Sequence, residues 1–285
     1  MCGEDIPLDD RFGISRLQSA VVVLVRDVLM AAMGGLRSTC TVQLLEWCHR
    51  IALATAEELP EAVAPLRTPS GDTVVRVAGH PISVWPFVGG SWVDKAGDRQ
   101  REQAAELLAR LHRALAPRRF GDRPSGAGTV TTQPVGDHDP DLDRWVRRFD
   151  AGAASTQAIH GDFYAGNMLA RDGRIVALLD WDEALLCPPT RELAWAAWEF
   201  GDGLWADDLD QVWAFITAYQ DASGPAERPD DVTLRMLVRQ RLLGEMRYID
   251  QQSSSSELTD EDRAHRRRQE SVYDLRGSGV TRRRR

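Results

Sequence analysis

Residues 159–183 run Ile159-His160-Gly161-Asp162-Phe163-Tyr164-Ala165-Gly166-Asn167-Met168-Leu169-Ala170-Arg171-Asp172-Gly173-Arg174-Ile175-Val176-Ala177-Leu178-Leu179-Asp180-Trp181-Asp182-Glu183. A short apolar piece, Ala158-Ile159, leads into a polar loop. The chain turns apolar again at Met168–Ala170. Asp172-Gly173 is a strong two-residue hairpin signal, because both residues tolerate positive φ. The apolar run Ile175–Leu179 then ends on an acid. The spacing therefore predicts a loop feeding a β-hairpin, with Asp162 and Asn167 on the loop and Asp180 at the far strand end. Closure of the fold can bring these three oxygen-bearing side chains together.

Such a set suits phosphoryl transfer. A carboxylate beside an acceptor hydroxyl can take its proton, and hard oxygen ligands hold Mg²⁺ on nucleotide phosphates. Asp162 fits the base, and Asn167 and Asp180 fit the metal ligands. His160 is read as catalytic through orienting the loop by hydrogen bonding. A nucleophilic or metal-binding histidine is the sharper alternative. The blander reading of the whole stretch is a hairpin whose acids cap turns and face water.

The stretch resembles the aminoglycoside phosphotransferase/choline kinase-like family, whose fold is that of protein kinases. Members carry H-G-D-(F/L)-x-x-x-N and then an apolar strand ending in D-W-(D/E). Here His160-Gly161-Asp162-Phe163, Asn167 and Asp180-Trp181-Asp182 match both parts. The resemblance implies an α+β, bilobal protein-kinase-like fold. A small β-rich N-lobe, abbreviated or diverged, would span 1–88. A larger, mainly helical C-lobe would span 89–285, with the hinge at about 86–91. It implies ATP or GTP and Mg²⁺ as cofactors, with adenine at the hinge near Trp85, Phe87 and Val88. Trp85 and Phe87 read equally well as strand core. The acceptor pocket would lie near Glu199, Asp202, Asp207 and Asp208. Leu108-Ala-Arg-Leu111-His112 matches a further family pattern, with His112 read as a packed helix residue. Glu192-Leu193-Ala194 fills another, with a structural role for the glutamate.

The N-terminal part departs from the family. A basic residue on the third strand should hold the α- and β-phosphates, and a glutamate on the next helix should pair with it. The chain has one lysine, Lys95, among 35 basic residues, and it lies beyond the hinge. Arg26 is the best replacement and Arg37 the second; arginine binds phosphate bidentately. On the helix, Glu46 and Cys48 compete for the paired position, with the family's register nearer Cys48. A glycine-rich cover loop is missing from residues 1–20.

Composition agrees with a globular enzyme. The chain has 285 residues, 43% hydrophobic and 27% charged, with net charge −8. That length can bury a sizeable core. An acidic surface opposes nucleic acid and anionic membranes and suits a cationic acceptor. The four cysteines, Cys2, Cys40, Cys48 and Cys187, form no C-x-x-C pair and read as thiols in a reducing, cytoplasmic setting. Ala20–Val25 stops at Arg26, far short of the roughly 20 residues that span a bilayer. Neither a leader peptide nor a membrane anchor is expected, and the assembly expected is a monomer or homodimer.

The remaining pattern predicts a strand at Val21–Val25, a helix at Thr41–Glu58 and a strand pair at Thr73–Val77 and Pro81–Val88. Helices follow at Asp98–Leu115, Leu142–Phe149, Thr190–Phe200, Trp205–Asp221, Asp230–Gln251 and Asp260–Asp274. Residues 116–138 read as a surface loop. Gly121 and Gly126 fail as a Walker loop, because Ala127-Gly128 stand where Lys and Ser/Thr are required. Ser253–Ser256 reads as a linker and Arg282–Arg285 as a solvated tail. The expected function is transfer of a γ-phosphoryl group to a small-molecule hydroxyl, on an aminoglycoside-like compound, an amino alcohol or a sugar. The alternatives are a kinase-fold protein that binds nucleotide or metabolite without turnover, and a metal-dependent hydrolase.

Overall fold

The computed structural model describes residues 21–24, 41–77, 79–95, 97–125, 138–252 and 259–281. In chain order the elements are β1 (Val21–Leu24), α1 (Val42–Ala56), β2 (Val75–Val77), β3 (His80–Pro86), β4 (Ser91–Trp92) and α2 (Asp98–Leu115). Then come α3 (Pro140–Gly152), β5 (Gln157–Ile159), β6 (Met168–Arg171), β7 (Arg174–Leu178) and β8 (Leu185–Cys187). Four helices close the chain: α4 (Pro189–Phe200), α5 (Asp210–Asp221), α6 (Asp231–Gln252) and α7 (Asp260–Thr281). Arg26 and Arg37 lie outside the described residues, as do 126–137 and 253–258.

The central stretch is tied at its neck. β5 and β8 pair antiparallel, with Ile159 opposite Leu185. Inside that neck β6 and β7 form the expected hairpin, with Met168 opposite Leu178 and Arg171 opposite Arg174. Its turn uses Asp172 at φ 52° and Gly173 at φ 71°, the primed geometry that matches strand twist. Just past the expected hinge, β4 adds to the edge of this hairpin, with Ser91 opposite Ala170 and Trp92 opposite Leu169. The sequence did not announce this two-residue strand. It fixes Ser91 and Trp92 against the central stretch.

A second sheet has the order β1-β3-β2, all antiparallel. Its strand β2 is shorter than the run Thr73–Val77. The amides of Thr73 and Val74 both donate to Glu46 Oε1 (2.9 Å each) instead of to a neighbouring strand. α1 starts where Thr41 Oγ1 accepts from Leu44 N and ends before Pro60. It buries Leu44, Trp47, Cys48, Ile51 and Ala52 in the same core as α2, α4, α5 and the β6–β7 hairpin. The segment after α1 joins that hairpin too: Leu178 N donates to Glu61 O and Val63 N to Leu178 O.

The helix expected at Trp205–Asp221 begins only at Asp210. Asp202 takes a left-handed φ of 51°, the amides of Trp205 and Ala206 turn back to Asp202 O, and Asp208 Oδ1 accepts from the Asp210 amide. No described helix is long and apolar enough to cross a membrane. The two described cysteines, Cys48 and Cys187, are buried and lie in no disulfide.

Candidate active site

A buried carboxylate holds the loop that carries Asp162. Glu192, on the first turn of α4, accepts from His160 N (3.3 Å), Gly161 N (2.6 Å) and His112 Nε2 (2.9 Å). With Nε2–H committed, His112 Nδ1 accepts from the Tyr219 hydroxyl at 2.8 Å. That hydroxyl in turn accepts from Ala226 N. Burial and the nearby Glu192 charge push the Tyr219 phenol well above its ordinary value. His112 is therefore the packed helix residue expected, and it belongs to a chain of buried hydrogen bonds from α5 to the loop.

Gly161 sits at φ 86°, and a Cβ there would lie 2.1 Å from Glu183 O. Only glycine fits. This turn redirects the backbone so that Asp162 leaves the core while His160 stays in it. His160 is fully buried. Its Nε2–H donates to Leu179 O at 2.9 Å, and its Nδ1 accepts from Asp162 N at 3.3 Å. Both ring nitrogens are used inside the protein, and the ring rests on Trp181 at 4.6 Å. That geometry braces the loop against the end of β7 and leaves no lone pair for a metal.

Asp162 and Asn167 meet directly. Asn167 Nδ2 donates to Asp162 Oδ2 and to Asp162 O, both at 2.9 Å. Two acceptors fix that atom as the amide nitrogen, which leaves Asn167 Oδ1 as an acceptor. A short 3₁₀ turn, Ala165–Asn167, brings Asn167 back to the loop start. Leu179 N donates to Asn167 O at 2.8 Å, which sets the next residue, Asp180, beside it. Asp180 has φ 58°, a backbone state that Asp and Asn enter more readily than most residues. Its carboxylate takes the Asp182 amide at 3.4 Å and is exposed.

Asn167 and Asp180 line one cavity of about 540 Å³ together with Trp85, Phe87, Val88, Trp92, Leu169 and Trp181. The three hinge residues expected near a nucleotide thus share a space with the two oxygen donors. Among the described residues no three His, Cys, Asp or Glu side chains gather into a cage of their own. A carboxylate and an amide oxygen at a cavity edge are hard ligands that suit Mg²⁺ when phosphate oxygens and water complete its shell.

On the other side of Asp162 lies a charged cluster that the sequence did not announce. Arg241 of α6 donates from Nη2 to Asp162 Oδ1 (2.9 Å) and from Nε to Glu245 Oε1 (2.5 Å). It also stands over the Trp195 ring at 5.9 Å. Glu199 faces the same group. Burial, with Glu245 nearby, pushes its carboxyl up to about 7. Of the other acids expected here, Asp202 pairs with Lys95 at 2.9 Å, Asp208 caps α5, and Asp207 is exposed. Arg241 is one of four arginines on α6, and nothing in the sequence sets it apart from the other three.

On α1 the two candidates for the paired position, Glu46 and Cys48, meet different partners. Glu46 spends its carboxylate on Thr73 and Val74. Cys48 is fully buried, with Sγ 3.6 Å from Asp182 O.

Residues 39–264 match the sequence model of the "Phosphotransferase enzyme family" (APH). The chain belongs to this family. Among curated relatives, stress response kinase A of Salmonella paratyphi A is 27% identical over 193 residues. That match covers 61% of this chain and 57% of the relative, so the chain spans little more than half the length of that protein. Two solved structures share the fold. An amicoumacin kinase in complex with AMP-PNP, Ca²⁺ and Ami superposes with TM-score 0.63 at 14% identity, covering 90% of this chain and 80% of that one. A choline kinase of Streptococcus pneumoniae gives TM-score 0.59 at 11% identity, covering 90% and 87%. The α+β, kinase-like architecture expected from the sequence is therefore the one this family member adopts.

Proposed function

We propose that this family member is a small-molecule kinase that moves the γ-phosphoryl group of ATP or GTP to an alcohol. The observation that carries the reading is the Asp162–Asn167 contact at 2.9 Å beside the cavity shared with Asp180. Asp162 takes the acceptor's O–H proton as the new O–P bond forms. The bond from phosphorus to the β–γ bridging oxygen breaks, and its electron pair leaves with the diphosphate. Asn167 and Asp180 would hold Mg²⁺, whose charge would offset that of the phosphates. Trp85, Phe87 and Val88 enclose the base, with the hinge at 86–91 dividing an N-lobe (1–88) from a C-lobe (89–285). The relatives named for amicoumacin and choline act on small hydroxyl compounds by their names, which supports that acceptor class. The acid-rich side of the cluster, with Glu199 and Glu245, suits an acceptor carrying positive charge.

One observation favours a second reading, binding without turnover. Cys48, not a carboxylate, stands on α1 beside the Asp182 backbone, and the Glu46 carboxylate of the same helix is taken by Thr73 and Val74. Calorimetry with Mg-ATP beside a γ-phosphate transfer assay separates the two. A screen of hydroxyl compounds for ATP-dependent mass gain supplies the acceptor. Asp162→Ala should abolish transfer and keep nucleotide affinity, whereas Asp180→Ala should weaken Mg-ATP binding itself. Tight Mg-ATP binding with no product on any acceptor would establish the second reading.

A further inference from the structure

We infer that Arg241 is a positioning residue for Asp162, set in place from the C-terminal helix through Glu245 and Gln269. The inference rests on the phosphotransferase reading and adds to it a residue on an element remote in sequence. Asp162 has its two carboxylate oxygens held by different donors: Oδ2 by Asn167 Nδ2 and Oδ1 by Arg241 Nη2, each at 2.9 Å. A carboxylate gripped at both ends cannot rotate about its Cβ–Cγ bond, so its free lone pairs keep a fixed direction. General-base transfer depends on that direction, because the acceptor oxygen must stay within hydrogen-bond reach while it attacks.

The guanidinium is itself held. Its Nε donates to Glu245 Oε1 at 2.5 Å, one turn further along α6. Glu245 Oε2 accepts from Gln269 Nε2 of α7 at 2.9 Å. Gln269 is only 1% exposed, so the contact is made away from solvent. Arg241 is 13% exposed on its side chain, and Trp195 covers it. Desolvation strengthens each of its ion pairs. The planar fork of arginine suits two carboxylates at once, and the single-point ammonium of lysine does not. The family match ends at residue 264, so Gln269 lies beyond it.

The test measures Mg-ATP consumption with kanamycin, choline and glucose as probe acceptors and water as the background acceptor. Arg241→Ala should lower kcat about 10²-fold, the scale of a misplaced reacting group. KM for Mg-ATP should stay within about twofold, and added guanidinium should restore part of kcat. Arg241→Lys keeps the charge and loses the fork, and should still fall. Gln269→Leu should lower kcat by less. Because Arg241→Ala strands Glu245, the paired Arg241→Leu/Glu245→Leu variant keeps the test alive if the single variant does not fold; it should fold and remain slow. An Arg241 variant with parental kcat would overturn the inference, as would an equal loss in kcat and Mg-ATP affinity without guanidinium rescue. A parent protein that consumes no Mg-ATP with any acceptor would overturn the phosphotransferase reading itself. A parent that turns over, with Asp162→Ala dead and Arg241→Ala intact, would sink only Arg241.

Discussion

Two carboxylates, Glu192 and Glu46, do similar work in different halves of the molecule. Glu192 receives two loop amides and a histidine beneath Asp162. Glu46 receives two amides and a hydroxyl from Thr73 and Val74, beneath β2. The first brace is buried and holds a loop that carries chemistry. The second is partly exposed and holds only the approach to a strand. Wherever reacting groups must stand at fixed spacing, the sequence is constrained residue by residue. Where a region only has to enclose, many sequences serve.

That contrast can be broken by experiment, and the largest effect should come from the loop itself. Asp162→Ala should lower turnover about 10²–10⁴-fold in a γ-phosphate transfer assay, with Mg-ATP affinity by calorimetry nearly unchanged. Turnover near the parental rate would remove the base from the mechanism. Next comes the deep brace: Glu192→Ala strands three buried donors and should cost about 3–5 kcal/mol by urea denaturation. The shallow brace should matter less. Glu46→Ala should cost about 1–2 kcal/mol and leave the kinetics of transfer intact. Equal losses at the two sites would erase the distinction drawn here.

The smallest effect concerns Glu199, whose carboxyl is pushed up to about 7 by burial and by Glu245. The folded protein then holds a proton there that the unfolded chain releases near its ordinary carboxylate range. Stability should therefore fall as pH rises from about 4.5 to about 7 and stay level above. Glu199→Gln should remove that slope and raise the melting temperature at pH 8 more than at pH 5. An unchanged melting temperature profile between pH 5 and pH 8 would show that the group ionises freely.

How far the sequence could be read follows the same division. Asp172-Gly173, the apolar run Ile175–Leu179 and the two spaced motifs sufficed for the hairpin and for Asp162, Asn167 and Asp180 as neighbours. Local rules fix such features within a few residues. The stripe of α2 was equally plain, because Leu107, Leu108, Leu111 and Leu115 recur at helical spacing. β4 was not legible: two residues carry no periodicity, and only the exposed hairpin edge calls them into line. The late start of α5 was hidden because Trp205–Leu209 holds no glycine or proline to mark the turns it forms. Arg241 escaped for another reason. Its partner lies 79 residues away, and nothing in a helix records what it will meet.

The neck formed by Ile159 and Leu185 has a consequence for how the molecule assembles. Closing a loop over residues 160–184 costs little more than closing one half as long, because the penalty grows only with the logarithm of length. The metal-side geometry can form from neighbours alone, early in folding. Arg241 must be delivered by a helix that docks much later in the chain. Pulse-labelled hydrogen exchange during refolding should find Leu179 N protected before the amides of α6, and the reverse order would show that the helices template the loop.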